Sequence, residues 1–453
     1  MDLERHATLL FCAKSVNVQG NGAEKEVKMV KFKRLFVALA ISICGICSAA
    51  NIRYVNCLTG SDKFDGASAS RAKKTIQAAI NSALAGDKIY VAPGTYAPFS
   101  VDKKLTIIGV KGAKYTYIEG GGKYRCVKFA EIEGYELHGF TLQNGYAGKE
   151  HGGGAVNGVL RHCFVRNCRT YEGDGLFGGG GVYKTHLYDT IIEGCRAGFG
   201  GAMHLGKAHR CTFRKNYAWD HGGALWGAEA HHSLIHHNHC DIRSGRPGGA
   251  GVHGGYLYNC TVVYNEVRRV VIDSTGGLFE SWSYNCIVWN NKSPYYSFGH
   301  ECHQYYGYKA RPNDHYLTDP RFVAPHRYDF HLRHDSPARR IGNRVHLPDY
   351  WNVHFDRDRN PRFHGDKIDM GCYEEDEDLN SVKAAGCGTY EIKYNPMGEE
   401  FVSVTLDGIT QLSSSTNGVF LWQPQSLGWH TNVISYGSVA LTNKLYITSY
   451  MGC

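Results

Sequence analysis

Side chains suited to holding a sugar recur at one position in the middle of the sequence. Each follows an apolar residue in a glycine-rich stretch, in the order Tyr183, His204, Trp226, His253 and Phe279. Aromatic faces cover the apolar faces of sugar rings and leave the sugar hydroxyls free to form hydrogen bonds. We therefore predict a shallow carbohydrate-binding groove along this column. The alternative is that loops cover the column as a second apolar core.

Charged residues lie in or beside the same stretches. Arg243 and Arg246 are predicted to bind the carboxylates or sulfates of an acidic polysaccharide, because guanidinium groups pair well with such anions. Asp220, Asp273 and Glu280 are predicted to hold Ca²⁺ or to position the sugar. The sequence identifies no other cofactor. For any single charge, a solvated rim is the plainer interpretation.

Cleavage of an acidic polysaccharide by β-elimination needs a base that removes the proton beside a uronate carboxylate. Cations or Ca²⁺ must neutralise that carboxylate to make the proton acidic. Lys184 and Lys207 fall on consecutive repeats and are the candidate bases. His204 and His253 are the alternatives, since the ordinary pKa of histidine is nearer neutrality.

These residues lie within copies of one internal repeat. Six segments align at spacings of 21 to 27 residues: HCFVRNC (162–168), DTIIEGC (189–195), RCTFRKN (210–216), HSLIHHN (232–238), NCTVVYN (259–265) and NCIVWNN (285–291). Stacking the copies gives columns of like residues. One apolar column contains Ala155, Val182, Met203, Leu225, Val252 and Leu278, and a polar column contains Asn216, Asn238, Asn265 and Asn291.

The columns favour a solenoid of stacked strands over other repeat folds. A leucine consensus and a helical period of 3.6 residues are both absent, which argues against leucine-rich and helical repeats. Asparagine side chains can bond from coil to coil at the strand spacing of about 4.8 Å. We therefore predict an all-β chain whose centre is a right-handed parallel β-helix.

Composition and targeting signals point to an exported protein. An apolar run at 35–46, after a basic start, is too short for a stable membrane anchor and precedes small residues at 48–50. We predict a signal peptide at 29–50 and interpret 1–28 as a mis-assigned extension; a genuine long leader is the alternative. The mature chain is expected to lack a transmembrane segment and to be secreted or at a bacterial cell surface.

The overall charge and the cysteines limit the function further. The formal charge of +8 over 453 residues, without a long basic run, gives no support for nucleic-acid binding. Sixteen cysteines in an exported chain permit disulfides, and Cys168 with Cys195, or Cys260 with Cys286, would lie on neighbouring coils. Small buried thiols are the favoured interpretation. We expect a monomer.

Several stretches resemble known β-helix families. Residues 52–96, with a short amphipathic helix predicted at 75–85 to cap the first coil, and LTIIG at 105–109 resemble the entry of secreted pectate-lyase-like proteins. The glycine-rich starts are similar to repeats of polymorphic outer-membrane autotransporters. Stretches within 319–374 resemble the last coils of bacterial surface β-helix proteins that carry varied anchors.

The resemblance covers about 52–374 and implies fold and export. Lyases of this kind use a lysine or arginine base, often with Ca²⁺, but their motifs do not match here residue by residue, so no site is carried over. The motif set of polygalacturonase-type hydrolases is also absent, which places hydrolysis below elimination. The leading hypothesis is a secreted lyase of acidic polysaccharides, and the alternative is a non-catalytic adhesin or polysaccharide-binding protein.

The predicted domain order follows from these segments. The β-helix is expected at 51–374, an acidic linker at 375–379, and a small β-sandwich-like module for attachment or spacing at 380–453.

Overall fold

The computed structural model describes residues 51–131, 134–171, 177–269, 271–294, 319–333, 335–343, 356–360, 362 and 367–374, with the backbone of the strands between 382 and 447. The predicted signal peptide and the predicted linker at 375–379 lie outside the described residues. Within them, no helix is both long and apolar enough to cross a membrane.

Three parallel sheets form the walls of the solenoid. Sheet 1 contains thirteen strands: β1 (Ile52–Val55), β2 (Lys88–Val91), β4 (Phe99–Val101), β5 (Thr106–Gly109), β7 (Val127–Phe129), β8 (Glu136–His138), β10 (Ala155–Val156), β11 (Val159–Arg161), β13 (Val182–Tyr188), β16 (Met203–His209), β19 (Leu225–His231), β22 (Val252–Tyr258) and β25 (Leu278–Tyr284). Sheet 2 contains nine: β3 (Gly94–Tyr96), β6 (Thr116–Glu119), β9 (Thr141–Gln143), β12 (Phe164–Arg166), β14 (Ile191–Glu193), β17 (Thr212–Arg214), β20 (Leu234–His236), β23 (Thr261–Val263) and β26 (Ile287–Trp289). Sheet 3 contains four: β15 (Arg196–Ala197), β18 (Tyr217–Ala218), β21 (His239–Cys240) and β24 (Glu266–Val267).

The coils stack in the register that the repeat predicts. Val182 pairs with Met203, Met203 with Leu225, and Leu225 with Val252, and all four are buried. Neighbouring residues of a strand point to opposite faces. The residue that follows each of these four in its strand therefore faces outward. The parallel β-helix prediction is therefore confirmed.

The asparagine column forms a continuous ladder inside the turns. The backbone N–H of Asn216 donates to the side-chain oxygen of Asn238 at 3.0 Å, and that of Asn238 to Asn265 at 2.9 Å. The Asn265 N–H donates to Asn291 in the same way at 2.9 Å. These bonds satisfy backbone groups that the turn would otherwise bury without a partner.

The cap and the cysteines also agree with expectation. Helix α1 (Ile76–Ser82) buries Ile76 and Ile80 against the first coil, and the hydroxyl of Thr75 accepts a bond from the Ala78 N–H at 3.2 Å. Short 3₁₀ turns lie at Ala69–Arg71 and Pro325–Arg327. The ten cysteines of the described residues are free thiols, and nine of them are buried.

The segment 319–374 differs from the predicted last coils. Its described strands, β27 (Phe322–Ala324) with β28 (Asp329–Leu332) and β29 (Gly342–Asn343) with β30 (Lys367–Ile368), pair antiparallel. The segment packs instead on the outer face of sheet 2, where Phe330 and Met370 share a second apolar cluster with Leu234. The aliphatic outward residues of sheet 2 supply the apolar surface that draws the segment there.

Beyond residue 381 the described strands form two antiparallel sheets. One contains β31 (Val382–Gly386), β32 (Thr389–Lys393) and β35 (Val419–Trp422). The other contains β33 (Phe401–Leu406), β34 (Ile409–Ser414), β36 (Gly428–Tyr436) and β37 (Val439–Ile447). The predicted domain limits and the role of this module stay predictions.

Candidate functional site

The predicted ring column lies on the outside of sheet 1. The strand register pairs its members in the order Tyr183, His204, Trp226, His253 and Phe279. Ring centroids are 4.9 Å apart between Tyr183 and His204, 4.3 Å between His204 and Trp226, and 5.2 Å between His253 and Phe279. The column is therefore a nearly continuous ladder of rings along the solenoid axis.

A left-handed residue follows each ring and adds a second outward position. The residues concerned have φ between 48° and 63°: Lys184, Leu205, Gly227, Gly254 and Glu280. In β13 this extra residue lets Tyr183 and Lys184 both face outward, while Thr185 turns inward and is fully buried. Lys184 and Glu280 thus occupy the same column, at its two ends, with Leu205 and two glycines between them.

A second layer of rings covers part of the column. His151 stacks on Tyr183 at 4.4 Å, and Phe199 stacks on Trp226 at 5.0 Å. His221 stacks on His253 at 4.5 Å. Its members are not among the predicted site residues. Its signal is a ring four residues before the apolar residue of the coil, as in His151 before Ala155 and His221 before Leu225.

Some rings of the column are buried, as expected for a covered second core, and others are partly exposed, as expected for a groove. His204 and Phe279 are only 6% exposed, whereas Trp226 and His253 are half-buried. An open groove of about 770 Å³ lies at Trp226 and extends to the last coils. Its described lining consists of Phe199, Asp220, His221, Trp226, Ser244, Arg246, Pro247, His253, Asp273, Phe279 and Glu280.

Seven of the twelve predicted site residues therefore line one groove: Trp226, His253, Phe279, Arg246, Asp220, Asp273 and Glu280. Tyr183, Lys184 and His204 lie on the coils before it. Arg243 does not belong to the described lining; its guanidinium lies 3.8 Å from the centroid of Trp219. The predicted role of Arg243 in sugar binding thus has no geometric support.

The two predicted lysine bases are not brought together. Lys207 pairs in register with His186, three positions beyond the ring column, and its ammonium lies 3.0 Å from the Glu229 carboxylate. Hydrogen bonding from His231, and then the Lys207 ammonium, lower the pKa of Glu229 to about 2. Lys184 is exposed, with its ammonium 5.4 Å from the centroid of Tyr183.

The two predicted histidine bases are neutral and weak. Burial, with a smaller contribution from the neighbouring imidazoles of His151 and His221, lowers the pKa of His204 and of His253 to about 3. Their Nδ1 atoms have no hydrogen-bond partner among the described residues. General bases work best with a pKa near the working pH, so neither imidazole is well suited to remove a proton at neutrality.

The predicted calcium ligands do not form a ligand set. The Asp220 carboxylate accepts bonds from the backbone N–H of Ser244 at 3.1 Å and from its hydroxyl at 2.6 Å. Within the described residues, no three histidine, cysteine, aspartate or glutamate side chains are grouped to hold a metal ion. Asp220 instead anchors the loop that carries Ser244 and Arg246 over the groove, and His221 bonds to the Arg246 carbonyl at 3.0 Å.

Comparison with known proteins finds similarity among solved structures and none among sequences. No family model matches the sequence, and no curated protein matches it. Among solved structures, a pectate lyase, Pel9A, is similar with a TM-score of 0.40 and 12% identity, covering 73% of this chain and 97% of that chain. A rhamnogalacturonan lyase has a TM-score of 0.29 and 14% identity, covering 54% of this chain and 77% of that one. A pectin methylesterase in complex with a hexasaccharide has a TM-score of 0.24 and 13% identity, covering 54% and 72%.

Proposed function

We propose that this protein binds a polysaccharide in the groove along Trp226, His253 and Phe279. The observation that carries the proposal is the in-register ladder of rings on the outside of sheet 1, where the partly exposed Trp226 and His253 line an open groove. Repeating rings at the strand spacing suit a repeating ligand, because each sugar can lay its apolar face on a ring.

The polar residues of the lining support the same function. Arg246 and Glu280 are exposed at the groove, and Ser244 lies beside them on the anchored loop. A few polar groups around an apolar floor orient a ligand through its hydroxyls. The predicted signal peptide at 29–50 would bring the protein to polysaccharides outside the cell, so export is part of the proposal.

The test is binding to a glycan array, followed by calorimetry on the best ligand with two tryptophan variants. Trp226→Ala is expected to weaken binding at least about 10-fold, because the main stacking surface is lost. Trp219→Ala is the matched control, since Trp219 stacks with Arg243 outside the described lining. Equal affinities for wild type and Trp226→Ala would contradict the proposal, as would the absence of any bound glycan.

A second candidate function is cleavage of an acidic polysaccharide by β-elimination. The exposed Lys184 beside Tyr183, at the end of the same ring ladder, favours it. In its neutral form the Lys184 amine would take the proton beside the uronate carboxylate. The electron pair of that C–H bond would form the double bond as the glycosidic oxygen leaves.

Ultraviolet absorbance of the unsaturated uronate product tests this second function. If elimination occurs, Lys184→Ala is expected to abolish the rise in absorbance and to leave binding intact. Lys207→Ala is the control and should retain activity, because Lys207 is engaged with Glu229 away from the ladder. A flat signal on every uronate polymer would exclude this function and leave polysaccharide binding or adhesion.

A further inference from the structure

A second cavity lies at the corner between sheets 2 and 3, on a different face from the ring ladder. Its volume is about 570 Å³, and it crosses the corners that follow β9, β12 and β14. Each of these corners has a left-handed residue, with φ of 53° at Asn144 and Asn167 and 66° at Gly194. The same position in the next coil holds Lys215, so the cavity lies where the corner residues are short.

Two arginines supply positive charge to this cavity. Arg169 and Arg196 line it, lie opposite each other on neighbouring coils and are both exposed. Neighbouring coils are about 4.8 Å apart, and like charges at directly opposite positions are unfavourable. Neither guanidinium has an ion pair within the described residues; that of Arg169 lies 5.0 Å from the ring centroid of Tyr146. An anion between the two guanidinium groups would neutralise both.

The other polar groups of the lining leave room for such an anion. Glu119 is the one carboxylate of the described lining, and three donors already bond to it. They are the Gly121 N–H at 2.8 Å and the side-chain amides of Gln143 at 2.7 Å and Asn144 at 3.0 Å. The exposed side chain of Asn167 has no hydrogen bond in the part of the chain that the structure describes, so its amide can donate to a ligand.

Tyrosine rings continue the same row of residues on both sides of the arginine pair. Tyr146 lies opposite Arg169 on the coil before it, and Tyr217 lies opposite Arg196 on the coil after it. The Tyr146 N–H donates to the Tyr124 carbonyl at 2.9 Å, and the Tyr124 side chain is 66% exposed. Exposed rings cover the apolar faces of sugars. The row therefore suits a sugar that carries an anionic group.

We propose that this cavity is a second glycan site, which binds the carboxylate or sulfate group of an acidic sugar between Arg169 and Arg196. The Asn167 amide would donate to the same group, and the exposed ring of Tyr124 would cover the sugar. The site lies on a different face from the groove at Trp226, so the inference goes beyond the proposed function and does not depend on it.

Three oligosaccharides of equal length test the site by calorimetry on the Trp226→Ala variant, in which the groove on sheet 1 is weakened. They are a galacturonate oligomer, a sulfated galactose oligomer and a neutral galactose oligomer. We expect at least one anionic oligomer to bind about 10-fold or more tightly than the neutral one, because two guanidinium groups form charge-assisted bonds with it. The tighter of the two anionic oligomers distinguishes a carboxylate ligand from a sulfate ligand.

Arginine variants in the same background assign this preference to the cavity. The double variant Arg169→Gln, Arg196→Gln is expected to lower affinity for the preferred anionic oligomer about 10-fold and affinity for the neutral one less than about 2-fold. The double variant Arg268→Gln, Arg269→Gln is the matched control, because it removes two positive charges from exposed positions outside the described lining. It should change neither affinity more than about 2-fold. Thermal unfolding checks that both double variants are folded.

The contribution of the sugar ring is tested separately. Tyr124→Ala should lower affinity for the preferred anionic oligomer about 3-fold or more, since a stacking surface is lost. Tyr115→Ala is the control, because Tyr115 is a 49% exposed tyrosine outside the described lining. Inorganic sulfate, which contacts no ring, should bind at least about 10-fold more weakly than the oligomer.

Several outcomes would overturn the inference. Equal affinity for the neutral and anionic oligomers would do so, as would equal losses in the two arginine double variants, which would indicate attraction to net charge alone. Inorganic sulfate or a short DNA duplex that binds as tightly as the oligomer would exclude a glycan site, and so would an unchanged affinity of Tyr124→Ala. The proposed function is judged by the effect of Trp226→Ala on the wild-type chain, so the two can fail independently.

Discussion

The outer faces of sheets 1 and 2 differ although the same coils build them. On sheet 2 the outward residues of the last coils include the aliphatic Leu234, Val263 and Ile287, and described residues of the segment 319–374 pack on them. On sheet 1 an outward column consists mainly of rings, and Trp226 and His253 stay partly exposed in the groove beside a second layer of rings.

The difference teaches how a solenoid separates stability from binding. Aliphatic side chains gain only from removal from water, so a covered aliphatic face stabilises the fold. Aromatic rings with polar edges can bind a ligand while partly solvated.

The largest expected change in the free energy of unfolding is at the covered outer face of sheet 2. Phe330 is 1% exposed and packs against Phe322 and His236. Phe330→Ala should lower the free energy of unfolding by about 3–5 kcal/mol and leave glycan affinity unchanged. Denaturant titration with calorimetric binding measures both. A loss below about 1 kcal/mol would contradict the covering role of the segment.

Acid should lower the stability of the fold through buried histidines on both faces. The effect should be stronger on the covered face of sheet 2. Burial lowers the pKa of His236 on sheet 2 and of His253 on sheet 1 to about 3, against about 6.5 in an unfolded chain. Above pH 6.5 neither state binds the proton. As the pH falls from about 6.5 toward about 3, the unfolded chain binds protons that the folded chain does not, so stability falls.

Replacing each histidine in turn measures its share of the stability that is lost in acid. At pH 5 each histidine should contribute up to about 2 kcal/mol of lost stability, and less at the more solvated His253. His236→Gln should therefore flatten the pH dependence of unfolding more than His253→Gln, as followed by denaturation between neutral and acidic pH. The reverse order would show that the groove face is the drier one.

A smaller stability effect is expected at the open face itself. Trp226 is half-buried, so Trp226→Ala should lower the free energy of unfolding by less than half the loss at Phe330, despite its large effect on binding. Parallel denaturation and binding curves measure the ratio. A stability loss as large as that of Phe330→Ala would indicate that the ring ladder is mainly core.

The smallest effects concern the left-handed positions beside the rings. Lys184 has φ of 49°, which costs energy for any side chain with a Cβ, so Lys184→Gly should raise stability by about 0.5 kcal/mol. Gly254 has φ of 63°, and a Cβ there would make only ordinary contacts with Gly227, so Gly254→Lys should lower the stability by about 1 kcal/mol. Thermal unfolding of the two variants measures both changes in stability. Changes of opposite sign would support a left-handed backbone at both positions.

Much of the fold and of the ring ladder could be predicted because the coil repeats the same choices locally. Alternation along a strand decides which residue faces outward, and the column through Val182 and Tyr183 follows from that alone. The layer of His151, Phe199 and His221 could not be predicted in the same way. Its position depends on how each chain segment turns back over the previous coil.

The two lysines and the last segment illustrate different kinds of contact. Lys184 lies one residue after its ring and Lys207 three residues after its own, so the strand register places Lys207 beside His186 and Glu229 rather than beside Lys184. The segment 319–374 carries strand-like stretches, but its antiparallel pairs and its contact with sheet 2 join residues distant in sequence. Sequence patterns within a coil contain no information on such contacts.

The loop that Asp220 holds through Ser244 bears on how binding specificity could change among relatives. It lies between the end of β21 and the start of β22, where the ladder bonds of Asn238 and Asn265 hold the coils in register independently of it. Evolution or laboratory grafting could therefore exchange this loop and retain the rings beneath it. Relatives built on identical coils could then diverge in glycan specificity as antibodies do, by replacing loops on a constant framework.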